Sequence, residues 1–175
     1  ELPSLRWSAV FRALRLMELA GEVLGGRFFD GVPGLQFMAP EAFRRLRRGL
    51  PEDRIFWLCA ADPASICSLG LEGLEIDLPD RRAGNHLVFH GPRTVLVSEA
   101  TGRRLRILVP PDHPAMDEYL VVLRHLLGRA VNPRRSLTVE TINGEPAPGT
   151  DYAGALSRLF HTTRTHAALR LSRRV

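Results

Sequence analysis

The residues here whose types could hold a metal are Cys59, Cys67, His86 and His90. His86 and His90 stand four positions apart, which puts both on one face of an extended strand. Seven residues separate the two cysteines, whereas structural zinc sites usually place two to four between them. Core thiols and surface histidines explain the same residues more simply, so no metal site is expected. Acids occur in two loose groups, Glu72, Glu75, Asp77 and Asp80, then Glu99, Asp112, Asp117 and Glu118. Paired carboxylates do acid–base work only when their surroundings push the two pKa values apart. Nothing in the spacing makes these converge, and Asp112, beside His113, reads as a helix cap.

The cations are more telling. All 24 basic residues are arginine, the net charge is +5, and lysine is absent. Without lysine there is no P-loop, no Schiff-base chemistry and no Ser-Lys dyad. Neither a G-x-S-x-G elbow nor a strand-linked G-x-G-x-x-G occurs. No catalytic residue and no cofactor are therefore expected within this chain. Arginine presents a planar fork that binds phosphate bidentately and stacks on bases, so a basic arginine surface suits an anionic polymer. GC-rich codon usage is the simpler cause of the lysine deficit, and the physical consequence is the same whatever the cause.

The elements that must position these arginines follow from periodicity. Trp7, Val10, Phe11, Leu14 and Met17 predict an amphipathic helix over 4–20, capped by Ser4 and stopped at Gly21. Glu22–Leu24 and Arg27–Phe29 read as short extended pieces with Gly25-Gly26 between them. A turn at Gly31, Pro33 and Gly34 leads to a strand over 35–38. A helix followed by such a hairpin is the closing half of a winged helix. Phe28, Phe29 and Phe37 are expected to pack the wing rather than stack on bases. Gln36, the sole glutamine, is expected to support the backbone there. Pro40 starts a second helix whose Arg44, Arg45, Arg47 and Arg48 fill an arc of roughly 160° beside an apolar face.

From Arg54 onward the texture is mostly strands: IFWLCAA, a short one near 74–78, NHLVFHG, and RTVLVSE with RRLRILV joined at Ala100-Thr101-Gly102. Arg104 and Arg106 alternate with Leu105 and Ile107, which predicts a basic outer face on that strand. A helix is expected over 114–129, an Asn-Gly hairpin in SLTVETINGEPA, a helix near 151–160 and a last strand in HAALRLSRR. The fold class is thus α+β: a winged-helix end over 1–50, then a small, mostly antiparallel β-barrel-like domain over 51–175 with two or three helices.

Four stretches resemble one family in order along the chain. RWSAVFRALRLMELAGEVLGGRFFDGVPGLQFMAPEAFRRLR is similar to the region near the end of the core of the large helicase-related (Lhr) family. CAADPASICSLGL, the strand opening at Asn85 and LTVETINGEPAPGTDYAGAL continue the likeness, although His86 replaces the family's arginine. The resemblance implies the C-terminal accessory part of an ATP-dependent 3′-to-5′ DNA helicase serving DNA repair. ATP and magnesium would then belong to motor domains outside this chain, and the partners would be DNA and the other RecA-like and winged-helix domains. Arg27 on the wing, Arg44, Arg45 and Arg48 on the helix, and Arg104 and Arg106 on the strand are the expected DNA-binding residues. The alternatives are a protein-interaction domain docking on the motor and a DNA-glycosylase-like module. A chain that begins at Glu1 is expected to be a piece of something longer. With no leader and no apolar span, a cytoplasmic, nucleoid-associated setting without membrane is expected.

Overall fold

The computed structural model describes residues 6–49, 51–68, 77–129 and 134–174. These fall into two compact units, the first made of residues 6–49 and the second of the rest. The cap expected from Ser4 and most of the strand expected near 74–78 lie outside the described residues.

In the first unit, α1 runs Trp7–Leu19. It ends in a Schellman arrangement: Gly21 takes φ +77° and the Glu22 amide reaches back to the Met17 carbonyl at 2.8 Å. Glycine adopts that left-handed conformation without the steric cost other residues meet. Strands β1 (Leu24–Gly26) and β2 (Gln36–Met38) pair antiparallel, Leu24 opposite Met38. Gly25 and Gly26 therefore lie inside a strand and not between two extended pieces. A Cβ on Gly25 would run into the Glu18 carboxylate, so the residue serves close approach to α1. The tight turning is done by Gly31 (φ +74°) and Gly34 (φ +89°). Helix α2 (Pro40–Arg47) has proline in its first turn, Glu41 near its positive end and arginines in its last turn, each matched to the helix dipole.

The second unit holds two sheets. A six-stranded sheet has the order β3 (Ile55–Cys59), β4 (His86–His90), β5 (Arg93–Glu99), β6 (Arg104–Ile107), β8 (Thr141–Ile142), β9 (Glu145–Pro146). All its pairs are antiparallel except β6 with β8. Strand β7 (Leu137–Val139) joins the smaller sheet of β10 (Phe160–Arg164) and β11 (Leu169–Arg173), in the order β10-β11-β7. The Ala100-Thr101-Gly102 turn has positive φ at all three residues, and Asn143-Gly144 does the same between β8 and β9.

The helix expected over 114–129 is two pieces, α3 (Met116–Tyr119) and α4 (Val121–Gly128), which meet at Leu120. The expected stripe of Met116, Leu120, Leu123 and Leu127 is buried. With α5 (Tyr152–Leu159) these helices share one core with Val88, Leu96 and Leu105 of the large sheet and Leu137, Val139, Leu169 and Leu171 of the small one. Leu87, Phe89 and Val97, on the opposite side of β4 and β5, pack with Ala60 and Cys67. Burial on both faces explains why β4 and β5 read as continuous apolar runs.

The barrel expectation is corrected. The described strands form open sheets, with β3 and β9 at the unpaired ends of the larger one. Closure needs strands long enough to pair end to end. Here the chain passes through two-residue strands at β8 and β9, and the helices share the core with both sheets.

Candidate nucleic-acid interface

The wing is held by one side chain. Gln36 Oε1 accepts from the amides of Phe28 (2.8 Å) and Phe29 (2.9 Å), while its Nε2 donates to the carbonyls of Phe29 (3.0 Å) and Val32 (2.8 Å). An amide side chain offers both donors and acceptors, and this one uses them to fasten the two arms of the loop. Phe28 packs on Phe43 of α2 with ring centroids 5.6 Å apart, and Phe37 meets Phe11 of α1 edge-on at 5.8 Å. Those two phenylalanines are packing residues, as expected. Phe29 is not: it is 54% exposed.

Arg27 follows β1 directly and is exposed. On α2, Phe43 and Leu46 are half-buried while Arg44, Arg45, Arg47 and Arg48 all face solvent. Arg45 donates to Glu41 at 2.7 Å, one turn earlier. Among the described residues no carboxylate lies within ion-pair distance of Arg27, Arg44, Arg47 or Arg48. Like charges on one face repel, so an anion laid along α2 would relieve a cost that the isolated helix carries.

In the second unit the strand arginines stand differently. Arg104 faces Glu99 at 3.6 Å. Arg106 lies 3.7 Å from the Asp77 carboxylate and also donates to the Asp77 carbonyl. Arg103, unremarked in the sequence, is held by Glu140, whose hydrogen bond and charge raise its pKa. The basic outer face expected on β6 is thus largely answered from within the unit.

The residues considered for metal binding are not brought together. Cys59 pairs across the ladder with His86, but Cys67 is buried in the smaller core cluster. His90 Nδ1 and the Tyr119 hydroxyl share a hydrogen bond of 2.6 Å, and burial, then the Glu118 charge, raises the phenol's pKa. His86 is buried with Nδ1 unpartnered among the described residues, and its pKa falls to about 4, first through burial and then through electrostatic interaction with His125 and Arg129. Asp112 does not cap α3; the His113 ring accepts from the Ala115 amide at 3.1 Å instead.

A helix, a two-stranded wing and a basic helix fastened by aromatic pairs define the closing part of a winged helix. Residues 1–55 match the family model of the large helicase-related protein, winged-helix domain. The match supports a C-terminal Lhr-type helicase region. No curated protein matches the chain. Among the described residues no helix is long and apolar enough to cross a membrane.

Proposed function

We propose that the chain is a DNA-binding accessory region of an ATP-dependent 3′-to-5′ DNA helicase of the Lhr type, acting in DNA repair. The observation that carries this reading is the row of exposed Arg44, Arg47 and Arg48 without carboxylate partners among the described residues, in the segment that matches the large helicase-related winged-helix model. Arg27 on the wing joins them. Arg45, Arg104 and Arg106 contribute less, because each already has an acid beside it. Residues 1–50 would be the winged-helix end and 51–175 a separate β-rich domain. ATP and magnesium would sit in motor domains of the same protein, within a nucleoid-associated cytoplasmic setting.

Amide chemical-shift mapping tests this reading. Adding single-stranded DNA should move the signals of residues 27–34 and 40–49 most; shifts confined to α1 would contradict it. A second reading has its own support: α1 exposes Trp7 (63%), Leu16 (68%) and Leu19 (81%). That apolar surface suits docking on another protein domain. Such binding would depend weakly on salt and would be lost in Leu16→Ala/Leu19→Ala.

A further inference from the structure

Five arginines and a histidine scattered between positions 124 and 174 meet in the second unit. Helix α4 contributes Arg124 and His125, both exposed, and the end of β11 contributes Arg173 and Arg174. The antiparallel register sets Leu137 opposite Leu171, so Arg134 and Arg135, just before β7, arrive at the same end of the ladder. Two hollows result. One, of about 500 Å³, is lined by Arg124, His125, Arg173 and Arg174 with Val121 and Leu159 as apolar wall. The other, of about 420 Å³, is lined by Arg134, Arg135, Arg173, Ser172 and Leu127. Arg173 belongs to both, and no carboxylate lines either among the described residues. The nearby hollow around Arg103 differs, because Glu140 lines it and answers that arginine.

Several of these cations are already placed. Arg174 donates to the Arg158 carbonyl at 2.6 Å, and Arg170 donates to Ser136 at 3.0 Å, which ties the 134–136 segment to β11. The Arg173 guanidinium lies over Gly128, where an added Cβ would come within 2.5 Å of its Nη2. Guanidinium groups gathered without acids repel one another, and their forks match phosphate oxygens. The larger hollow lies within the usual ligand range of about 300–1,000 Å³. We propose that the two hollows form a track for consecutive phosphates of single-stranded DNA, with a nucleoside against Val121 and Leu159. The identity of the polymer rests on the DNA-binding reading above; the site itself is separate from the α2 arginines.

The test uses the whole chain carrying Trp7→Phe, which leaves Trp57, 4.5 Å from His125, as the remaining tryptophan. An oligothymidylate should change Trp57 emission saturably, and inorganic phosphate should bind far more weakly. Arg124→Gln/Arg173→Gln should weaken the oligonucleotide roughly tenfold or more, since hydrogen bonds to charged groups are worth about that much each. Gly128→Ala should weaken it several-fold by displacing the Arg173 guanidinium. That variant favours the helix, so it keeps the test sound if the double variant unfolds by circular dichroism. Arg44→Ala/Arg48→Ala should lower overall affinity for DNA, but oligothymidylate at saturation should still change Trp57 emission. Affinity unchanged by Arg124→Gln/Arg173→Gln and Gly128→Ala, but lost with Arg44→Ala/Arg48→Ala, overturns the track and spares the DNA-binding reading. No binding of any DNA overturns both, and inorganic phosphate bound as tightly as the oligonucleotide overturns the nucleic-acid assignment.

Discussion

Gln36 and His86 show how much single side chains settle in this protein. Gln36 makes four hydrogen bonds to the wing backbone, so Gln36→Ala should destabilise the wing by about 1–3 kcal/mol. The amides of Phe28 and Phe29 should then exchange with solvent markedly faster, as hydrogen exchange followed by NMR would show. His86 acts through pH. Its folded pKa of about 4 lies below the ordinary 6.5, so the unfolded chain binds the proton more readily. Stability from this group is therefore full above pH 6.5 and falls away as pH drops from 6.5 toward 4. The loss should be on the order of 2–3 kcal/mol. Urea midpoints compared at pH 7.5 and 4.5 should fall further for the wild type than for His86→Leu. Parallel curves would contradict the burial account.

Among the elements, those with local signals were legible in the sequence. The helical stripes of α1 and α2 and the alternation of β6 could be read directly, as could the Asn-Gly turn between β8 and β9. That turn also does more than reverse the chain. Asn143 Oδ1 accepts from the Ile107 amide at 2.7 Å and its Nδ2 donates to the Ile107 carbonyl at 3.0 Å, which locks the hairpin to β6. Asn143 holds φ +53° besides, a region asparagine tolerates better than most residues. Asn143→Ala should therefore cost about 2–4 kcal/mol, the sum of lost hydrogen bonds and backbone strain, seen as a lowered thermal midpoint. Strand β10 escaped notice because FHTTR lacks apolar alternation and begins directly at the end of α5. The parallel pairing of β6 with β8 joins residues nearly forty apart, a distance at which sequence pattern carries no register. The same non-locality hid the His90–Tyr119 contact and the arginines that α4 and β11 bring together.

For the molecule as a whole, charge and its distribution carry the functional reading. The net charge of +5 is legible at once, but its placement is not. The sequence gives no sign that Arg104 and Arg106 are met by acids while Arg44, Arg47 and Arg48 have none beside them among the described residues, because ion pairing depends on tertiary neighbours. The measurement that tests the central claim most directly is fluorescence anisotropy of labelled single-stranded and duplex DNA against the whole chain, at several salt concentrations. Binding should weaken steeply with salt, by a slope of about 0.7 per phosphate for single strands. Arg44→Ala/Arg47→Ala/Arg48→Ala should lower that slope by roughly two and weaken affinity at low salt. An affinity that ignores salt, or a slope the three alanines leave unchanged, would contradict the account of α2 as a phosphate-binding helix.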